Sequence, residues 1–333
     1  PPSIMRNTPP ILGVGIDVSK AKLDVCTRTA DMEQFFVVPN NATGIRQFIS
    51  KLRSCQCRIV LESTGRYHIL CAFMLSQAEL DVRVVNPIEA KRYLRSATRS
   101  GKTDRSDAAG LAHMAMLEEN VPRFRSTKRD IHIRQKLGLL NSLERQEQSV
   151  RLTMRNYCEF QHVMRIPSSP LERRLGHLSD RLQHMRGMLE KEISVLIAEE
   201  EGAMAQVKLA QSVPGISPFV AHMLCQGLSM NCTSPKQWIS FVGLDVSSRQ
   251  SGQWKGRGRL SKRGNAYYRK RLSGAAWGAI MNNAAFRAYY DALRAEGRSY
   301  REALVIIARK ILRVLYGVLK NGQPFSPELC RFR

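Results

Sequence analysis

The hydrophobic positions in the first third of the chain change from a strand pattern to a helix pattern. Residues 11–18, 22–27 and 33–38 are apolar or alternating, rich in β-branched side chains, and separated by short polar breaks. This pattern predicts three strands in an antiparallel meander. The elements predicted after them are a helix at 42–52, a strand at 58–61, a helix at 67–77, a strand at 82–85, and helices at 88–97 and 103–117.

Three antiparallel strands followed by alternating helices and strands is the order of elements in an RNase H-like, or RuvC-like, α/β fold. We therefore predict such a domain over residues 11–125. A chain of 333 residues is too long for one ordinary domain, so further domains are expected after it.

Long helical patterns follow after the first domain. In the second half of this region apolar residues recur in steps of three and four, as in a coiled coil, at Leu175, Leu178, Leu182, Met185, Leu189, Ile193 and Leu196. Two interpretations stay open: a two-helix hairpin that packs on itself, or an arm that joins subunits. We predict a helical coiled-coil connector over residues 126–202 and a mainly helical domain over 203–325, which ends in helices at 275–293 and 300–319.

Charge narrows the possible partners more than any other bulk property. Lys and Arg number 52 against 28 Asp and Glu, which gives a net charge of +24, and the isoelectric point is near 10.2. Such a chain is expected to bind a polyanion, and nucleic acid is favoured because the charge is not gathered on one amphipathic helix. The cysteines are scattered, which predicts neither a disulfide framework nor a zinc site. The sequence shows no long apolar run and no signal peptide, which predicts no membrane span and a cytoplasmic location.

Four carboxylates stand at predicted strand ends and at the start of the last helix of the first domain. Asp17 closes the first strand and Glu62 the fourth, and these two strands are neighbours in an RNase H-like sheet. Asp104 and Asp107 are three residues apart and therefore share one face of the helix that crosses this edge. Four carboxylates together predict a site for two Mg²⁺ ions acting on a phosphodiester. The alternative is that all four are solvated strand and helix ends.

A glycine-rich, flexible and basic segment carries a serine in the third domain. Between residues 249 and 271 there are nine Lys or Arg and no acidic residue. Ser251 lies among these cations, where they would stabilise the charge that develops when a hydroxyl attacks a phosphodiester. Ser247, Ser248 and Ser261 are nearby competitors, and turns are rich in serine for conformational reasons alone.

Several side chains are candidates for contacts with nucleic acid. In the basic segment, Trp254 or one of Tyr267 and Tyr268 would stack on a base while the cations hold phosphates. A turn at Pro214 and Gly215 between two helices would suit a backbone phosphate. The cations of the segment are Arg249, Lys255, Arg257, Arg259, Lys262, Arg263, Arg269, Lys270 and Arg271, and a second patch beside the carboxylates contains Lys91, Arg92, Arg95, Arg99, Lys102 and Arg105. The alternative for the second patch is a solvated helix face.

Taken together, the motifs resemble those of the Piv-type DNA invertases and the related bridge-RNA-guided insertion-sequence transposases. The resemblance covers nearly the whole chain. Its motifs are Gly15-Ile16-Asp17-Val18-Ser19-Lys20, Leu61-Glu62-Ser63-Thr64-Gly65, Asn86-Pro87, Lys102-Thr103-Asp104-Arg105-Ser106-Asp107-Ala108, Val213-Pro214-Gly215-Ile216, Phe241-Val242-Gly243-Leu244, Ser251-Gly252, Ser261-Lys262-Arg263-Gly264-Asn265, Ala308-Arg309-Lys310 and Tyr316-Gly317-Val318-Leu319.

The resemblance implies a specific enzyme. In this family a Holliday-junction-resolvase-like domain is joined to a transposase domain, whose serine corresponds to Ser251. Its acidic tetrad corresponds to Asp17, Glu62, Asp104 and Asp107. The resemblance further implies a tetramer in which carboxylates of one subunit and the serine of another form a composite site. In the insertion-sequence members, a structured noncoding RNA pairs with both donor and target DNA.

Together with the residues, the resemblance implies an RNA-guided DNA recombinase or transposase of an insertion sequence that works through a phosphoserine intermediate with Mg²⁺ on its acidic tetrad. The alternatives are a site-specific DNA invertase without a guide RNA and a metal-dependent junction resolvase or nuclease that uses water. A non-catalytic nucleic-acid-binding protein and an actin-like ATPase rank below these. The sequence does not distinguish inversion from transposition. It also leaves open which DNA sequences are recognised and which end of the cut strand is linked to the serine.

Overall fold

The strands of the first domain form one mixed sheet in the computed structural model. The structure describes residues 11–52, 57–97, 104–118, 121–167, 169–199, 202–229, 233–247, 250–251, 254–255 and 258–329. The sheet consists of β1 (Gly13–Val18), β2 (Lys22–Arg28), β3 (Glu33–Pro39), β4 (Arg58–Glu62) and β5 (Asp81–Val85), in the order β3-β2-β1-β4-β5. The pairs β1–β2 and β2–β3 are antiparallel, whereas β1–β4 and β4–β5 are parallel. This order and these directions confirm the RNase H-like sheet.

Four helices pack on this sheet: α1 (Ala42–Leu52), α2 (His68–Gln77), α3 (Pro87–Ala97) and α4 (Asp104–Leu117). Because side chains alternate along a strand, Val14 and Ile16 of β1 pack in the core that includes α1 and α2. Val60 of β4 points to the other face and packs with residues of α3 and α4. The chain separates into two compact units, Pro1–Ile131 and His132–Arg333, and the sheet with these helices forms the first.

The long helical region forms a hairpin of α5 (Lys128–Met164) and α6 (Pro170–Ala198). From one pair to the next, the residue number increases in α5 and decreases in α6, so the two helices are antiparallel. These pairs are Lys136–Glu192 at 2.6 Å, Glu147–Arg186 at 3.0 Å and Gln161–Glu172 at 3.0 Å. A capping box between Ser169 and Glu172, with Pro170 in the first turn, fixes where α6 begins.

The apolar seam of α6 is buried at only one end. Leu189 and Ile193 lie in the core of the second unit, whereas Leu178 and Met185 are 43% and 51% exposed. The seam therefore contributes its C-terminal half to a globular core, and a coiled coil along the whole helix is not confirmed.

Six further helices share that core: α7 (Ala203–Gln211), α8 (Pro218–Ser229), α9 (Pro235–Phe241), α10 (Ala266–Asn282), α11 (Ala284–Ala295) and α12 (Tyr300–Asn321). Its fully buried side chains include Leu272 of α10, Phe286 of α11 and Ile307 of α12. A short 3-10 turn, Pro327–Leu329, follows. Among the described helices, none combines the length and apolar character needed to cross a membrane.

The single helix predicted over 275–293 is wrong, because α10 and α11 separate at Asn283. The side chain of Asn283 accepts a hydrogen bond from the Phe286 N–H at 3.1 Å and so caps the N-terminus of α11. Its own N–H donates to the Ala279 carbonyl at 3.0 Å, which ends α10. The apolar periodicity continues across the break, so it did not mark this capping residue.

The Pro-Gly turn between α7 and α8 packs closely against α10. Gly215 has φ +82°, a conformation that favours glycine, and a β-carbon there would overlap the backbone of Ala275 and Ala279. Helix packing therefore accounts for this glycine, and the predicted contact of the turn with a phosphate stays a prediction.

Candidate active site and nucleic-acid interface

Two of the four predicted carboxylates are brought together at one end of the sheet by its parallel strands. The register pairs Ile16 of β1 with Leu61 of β4, and Asp17 and Glu62 are the next residues along these strands. Both side chains are half-buried. The parallel pairing of β1 and β4 therefore puts Asp17 and Glu62 at adjacent strand ends, as the sequence predicted.

The other two carboxylates reach this edge because α4 packs very closely on β1. A β-carbon at Gly15 would overlap the backbone of Ala108 and of Ala112, so only glycine at this position of β1 permits the contact. Asp104 is the first residue of α4 and Asp107 lies one turn later. The helix therefore begins beside the C-terminal end of β1.

Asp24 is a functional candidate that sequence reasoning missed. One carboxylate oxygen from each of Asp17, Asp24 and Asp104 lies within 4.8 Å of the other two. Asp24 faces Asp17 across the antiparallel pair of β1 and β2. Asp24 can be recognised as a neighbour of Asp17 only when the register between β1 and β2 is known. The length of the turn between these strands does not by itself fix that register. Asp17, Asp24 and Asp104 are called the acidic triad below.

The acidic triad is an electrostatically unfavourable arrangement without a cation. Burial raises the pKa of Asp17, and the neighbouring carboxylates of Asp104, Asp107 and Asp24 raise it further. A backbone hydrogen bond from Val18 acts in the opposite direction. Asp107 is therefore close enough to act on Asp17, although it lies outside the triad.

A lysine supplies positive charge inside the triad. The Lys22 ammonium lies 2.9 Å from Asp24 and 3.1 Å from Asp104, and it donates hydrogen bonds to both carboxylates. These contacts raise the pKa of Lys22. Asp24 Oδ2 is buried and lies 2.9 Å from the ammonium, and this ion pair is its contact with positive charge, because no hydrogen bond reaches it among the described residues.

The residues present fit a divalent cation. All three ligands of the triad are carboxylate oxygens, which are the donors that Mg²⁺ and similar hard cations prefer. The Lys22 ammonium already lies between the carboxylates of Asp24 and Asp104, so positive charge is accommodated at this point of the structure. Asp17, Asp24 and Asp104 would hold such an ion, with Asp107 and Glu62 as further ligands at the same edge.

Short strands in and next to the basic segment pair, where the structure describes them, as two antiparallel ribbons. In one, β6 (Val246–Ser247) pairs with β9 (Arg259–Leu260). In the other, β7 (Gln250–Ser251) pairs with β8 (Trp254–Lys255), so that Ser251 faces Trp254 in the register. The predicted nucleophile therefore stands on a strand that is itself bracketed by the first ribbon.

Two family models match separate parts of the chain. A transposase model of the DEDD IS110 type matches residues 14–164, which include the acidic triad, Glu62 and Asp107. A model described as "Transposase IS116/IS110/IS902 family" matches residues 207–291, which include Ser251. The chain belongs to the IS110/Piv-type family of transposases and DNA invertases.

Curated relatives in this family cover the chain almost from end to end. The pilin gene-inverting protein of Moraxella lacunata is 24% identical over 329 residues, which is 95% of this chain and 98% of the relative. Its counterpart in Moraxella bovis is 23% identical over 327 residues, with the same shares. A 43.6 kDa protein of insertion element IS110 in Streptomyces coelicolor is 26% identical over 150 residues, 44% of this chain and 36% of its own length.

The solved structures similar to the chain include RuvC of Thermus thermophilus, alone and in complex with a Holliday junction substrate. Each covers 33% of this chain and 98% of its own, at 10% identity and a TM-score of 0.24. The RNase H-like fold of the first unit is assigned from the order and directions of its strands.

The cations predicted to contact nucleic acid differ in their solvent exposure and in their positions in the fold. Lys91 and Arg92 of α3 are exposed, and so is Arg105, whose guanidinium lies 4.2 Å from the ring centre of Phe35. Lys262 and Arg263, between β9 and α10, are also exposed. Arg95, Lys255 and Arg259 lie within α3, β8 and β9, while Arg99, Lys102, Arg249 and Arg257 lie outside the described residues.

Three predicted cations at the start of α10 are engaged inside the second unit. Arg269 donates to the carbonyls of Val242 and Gly264 at 2.9 and 2.6 Å. Lys270 pairs with the buried Glu144 at 2.7 Å, and Arg271 pairs with Glu144 and Glu190. Lys270 and Arg271 therefore join α10 to the α5–α6 hairpin, while Arg269 joins α10 to the chain after α9 and before α10. The contact of these cations with nucleic acid stays a prediction.

The suggestion that Tyr267 or Tyr268 stacks on a base is wrong. The residues are 7% and 5% exposed and lie in the core of the second unit, because α10 already begins at Ala266. The hydroxyl of Tyr267 is within hydrogen-bond distance of Glu144, and that of Tyr268 contacts the Met223 carbonyl at 3.4 Å. The stacking of Trp254 on a base stays a prediction.

Proposed function

We propose that this member of the family is an RNA-guided recombinase of an insertion sequence that cuts and rejoins DNA through a phosphoserine intermediate. The observation that carries the proposal is the acidic triad at the edge of an RNase H-like sheet, in a chain whose second family match contains Ser251. The net charge of +24 supports a nucleic-acid substrate.

Two Mg²⁺ ions would be held by Asp17, Asp24 and Asp104, with Glu62 and Asp107 completing the ligands. When bound, they would supply positive charge that stabilises the attacking and leaving oxygens of a phosphodiester. The chain's own contribution is to gather the carboxylates, and the raised pKa of Asp17 reflects how unfavourable this is without a cation. Lys22 would leave its two carboxylates when the ions bind.

The covalent step would conserve the energy of the broken phosphodiester bond. The Ser251 hydroxyl gives up its proton and its oxygen bonds to phosphorus, while one DNA oxygen leaves and takes up a proton. A second DNA hydroxyl then attacks the phosphoserine, a new phosphodiester forms and the serine hydroxyl is restored. No high-energy cofactor is needed, since one phosphodiester bond is broken for each one that is formed.

A structured noncoding RNA would choose the sites by pairing with donor and target DNA. Lys91, Arg92 and Arg105 on the first unit, and Lys262 and Arg263 on the second, are exposed cations suited to phosphate backbones. Backbone contacts of this kind carry little sequence information, which is compatible with recognition by base pairing. Copurified RNA, sequenced after nuclease trimming of the native complex, tests this: one enriched species supports guidance, and a random mixture contradicts it.

The subunits would associate as a tetramer through the connector region, residues 126–202. Apolar side chains at the tip of the α5–α6 hairpin support this proposal, because Phe160 and Val163 are 69% and 77% exposed. In such an assembly the carboxylates of one subunit would act with the serine of another, as the family resemblance implies.

The strongest alternative is a site-specific invertase that recognises its DNA without RNA. The observation in its favour is that two pilin gene-inverting proteins match 95% of this chain. A junction resolvase or nuclease that uses water would employ the acidic triad in the same way but would form no covalent link to the protein.

Trapping of a protein–DNA adduct tests the proposed nucleophile. The parent protein is expected to yield a covalent adduct with a labelled donor DNA in Mg²⁺, detected on a denaturing gel, and Ser251→Ala is expected to yield none. Ser247→Ala and Ser261→Ala are matched controls that should retain it. Adducts in Ser251→Ala would move the nucleophile elsewhere, and cleavage without adducts in the parent would favour a nuclease.

A further inference from the structure

A basic cavity in the second unit borders the ribbon that brackets the serine segment. Its volume is about 1110 Å³ and its walls come from three parts of the fold. Val246 and Leu260, which pair between β6 and β9, belong to one wall. The connection from α11 to α12 and the first three turns of α12 form the others. The cavity therefore borders the two strands that come just before and just after the segment with Ser251.

Arginine dominates the charge of this basic cavity. The described residues of its lining include four arginines and two glutamates, which gives them a formal charge of +2. The Glu302 carboxylate is engaged, because it accepts the Ser299 N–H at 3.0 Å in the capping box of α12. Among the described residues, Arg298, Arg301 and Arg309 form no ion pair with a carboxylate. Within the described part of the chain, these three guanidinium groups are therefore not neutralised by ion pairs.

Arg309 is the residue of the lining that most clearly lacks an acceptor. Its Nε is buried and has no hydrogen-bond partner among the described residues. Burial and the neighbouring Arg313 lower the pKa of Arg309, while Asp245 acts in the opposite direction. A buried donor without an acceptor is unfavourable, and a bound anion would relieve both the missing hydrogen bond and the excess positive charge.

The beginning of α12 adds to the attraction for an anion. Ser299, its N-cap residue, and Arg301 of its first turn both line the cavity. The N-terminal end of a 22-residue helix carries partial positive charge from its aligned peptide dipoles. Several independent sources of positive potential therefore act on one cavity.

We propose that the basic cavity binds backbone phosphate of the nucleic-acid strand next to the serine segment, with Arg301 and Arg309 as the principal contacts. This inference rests on the proposed function, since it places a strand beside Ser251. A guanidinium binds phosphate oxygens in a bidentate way, which fixes the position of a strand better than an ammonium does. A cavity of this volume holds more than a lone phosphate, so a nucleotide with its neighbouring phosphate is the expected occupant.

Binding of single strands tests the basic cavity. The probes are a fluorescent DNA oligonucleotide of mixed sequence and an RNA oligonucleotide of the same sequence, titrated at several salt concentrations. Arg301→Gln and Arg309→Gln are each expected to weaken binding about tenfold. They should also reduce the slope of affinity against salt, by about 0.7 for each phosphate that the variant no longer binds. Arg287→Gln is the matched control, since Arg287 is exposed on α11, pairs with Asp291 and lies outside the lining.

The two probes separate the sources of phosphate. If only DNA binding is weaker, the cavity is assigned to a DNA strand. If only RNA binding is weaker, it is assigned to the guide RNA. If binding of both probes is weaker, the cavity accepts either kind of strand. Unchanged affinity and salt slope for both probes, relative to Arg287→Gln, would overturn the inference. Arg301 is exposed, so Arg301→Gln keeps the test valid if Arg309→Gln does not fold. Adduct trapping with Ser251→Ala is scored separately, which distinguishes a failed cavity from a failed nucleophile.

Discussion

Asp17 lies between the hydrophobic core of the sheet and the carboxylates of α4. The preceding residue, Ile16, is fully buried, whereas Asp104 of the triad is largely exposed. Burial and the neighbouring like charges both raise the pKa of Asp17. Its position favours cation binding over the stability of the metal-free fold, which is common at functional sites.

Asp17→Asn is expected to stabilise the metal-free protein and to inactivate it. The amide removes a buried negative charge, so the melting temperature in EDTA at neutral pH should rise by a few degrees. Recombination should fall by at least about a hundredfold, because a metal ligand is removed. Circular dichroism and a recombination assay measure the two effects. Asp31→Asn, at an exposed turn, is the control, and a less stable Asp17→Asn would contradict the electrostatic account.

The pH dependence of metal-free stability follows from the direction of the same shift. Because the native pKa of Asp17 is raised, the native state keeps this proton to a higher pH than the unfolded state does. The free energy of unfolding should therefore fall as pH rises from the unfolded pKa to the native pKa of Asp17, and this contribution should level off above it. Denaturant titrations in EDTA across this window measure it, and Asp17→Asn should lack the fall.

Lys22 competes with a metal ion for two of the three carboxylates in the triad. Lys22→Gln is expected to increase the apparent affinity for Mg²⁺ about threefold to tenfold, since no ammonium has to be displaced. Mg²⁺-dependent thermal stabilisation provides the measurement. Lys20→Gln, an exposed lysine in the adjacent turn, controls for net charge alone. Equal affinities in the two variants would show that Lys22 does not oppose metal binding.

Individual residues were predictable where their role followed from local position. Asp17 and Glu62 were found because each closes an apolar strand, and Asp104 because it opens a helix. Asp24 and Lys22 were missed because their part in the triad depends on the pairing of β1 with β2. Tyr267 and Tyr268 were misjudged because α10 begins earlier than its apolar pattern does, which turns their side chains into the core.

At the scale of elements, the contact between β1 and α4 determines whether a site exists. Glycine at position 15 removes the side chain from one face of the strand, and the small residues Ala108 and Ala112 of α4 then approach its backbone. A larger residue at any of these positions would push the helix away. The carboxylates of Asp104 and Asp17 would then separate, because they belong to the two elements in contact.

Gly15→Ala is therefore expected to destabilise the first unit by about 3 kcal/mol or more and to abolish stabilisation by Mg²⁺. Its methyl group would meet backbone atoms, which cannot rotate away as a side chain can. Gly176→Ala on α6 is the control, because nothing lies within 4 Å of the added β-carbon there. That control should be neutral or stabilising by up to about 1 kcal/mol. Similar melting temperatures for the two variants would contradict the close packing of β1 and α4.

The elements themselves were largely predictable, and their interruptions less so. The five strands and the hairpin helices follow hydrophobic periodicity, which local sequence records directly. The break at Asn283 depends on one side chain that caps a helix inside a continuous apolar pattern. The ribbons β6 to β9 depend on pairing between short polar segments, for which periodicity gives no indication.

At the scale of the whole molecule, the apolar tip of the α5–α6 hairpin is the feature that an isolated chain does not explain. Leu171 of α6 is 67% exposed, and Phe160, Val163 and Met164 of α5 are exposed to a similar degree. The helices are joined at this point by a hydrogen bond between Gln161 and Glu172, so the tip is an ordered hairpin end. An ordered apolar end of this kind is typical of a surface that packs against another subunit.

Phe160→Ser combined with Val163→Ser is expected to dissociate the assembly and to stop recombination. Both side chains are exposed in the single chain, so helix content and melting temperature should change little while the apolar surface that joins the subunits is removed. Light scattering after gel filtration measures the mass, which should fall from about four times the 37.7 kDa of the chain to a smaller multiple. Val37→Ser on β3, 60% exposed on the first unit, should leave the mass unchanged. An intact tetramer in the double variant would show that the subunits associate through a different surface, and the exposed tip would then need another partner.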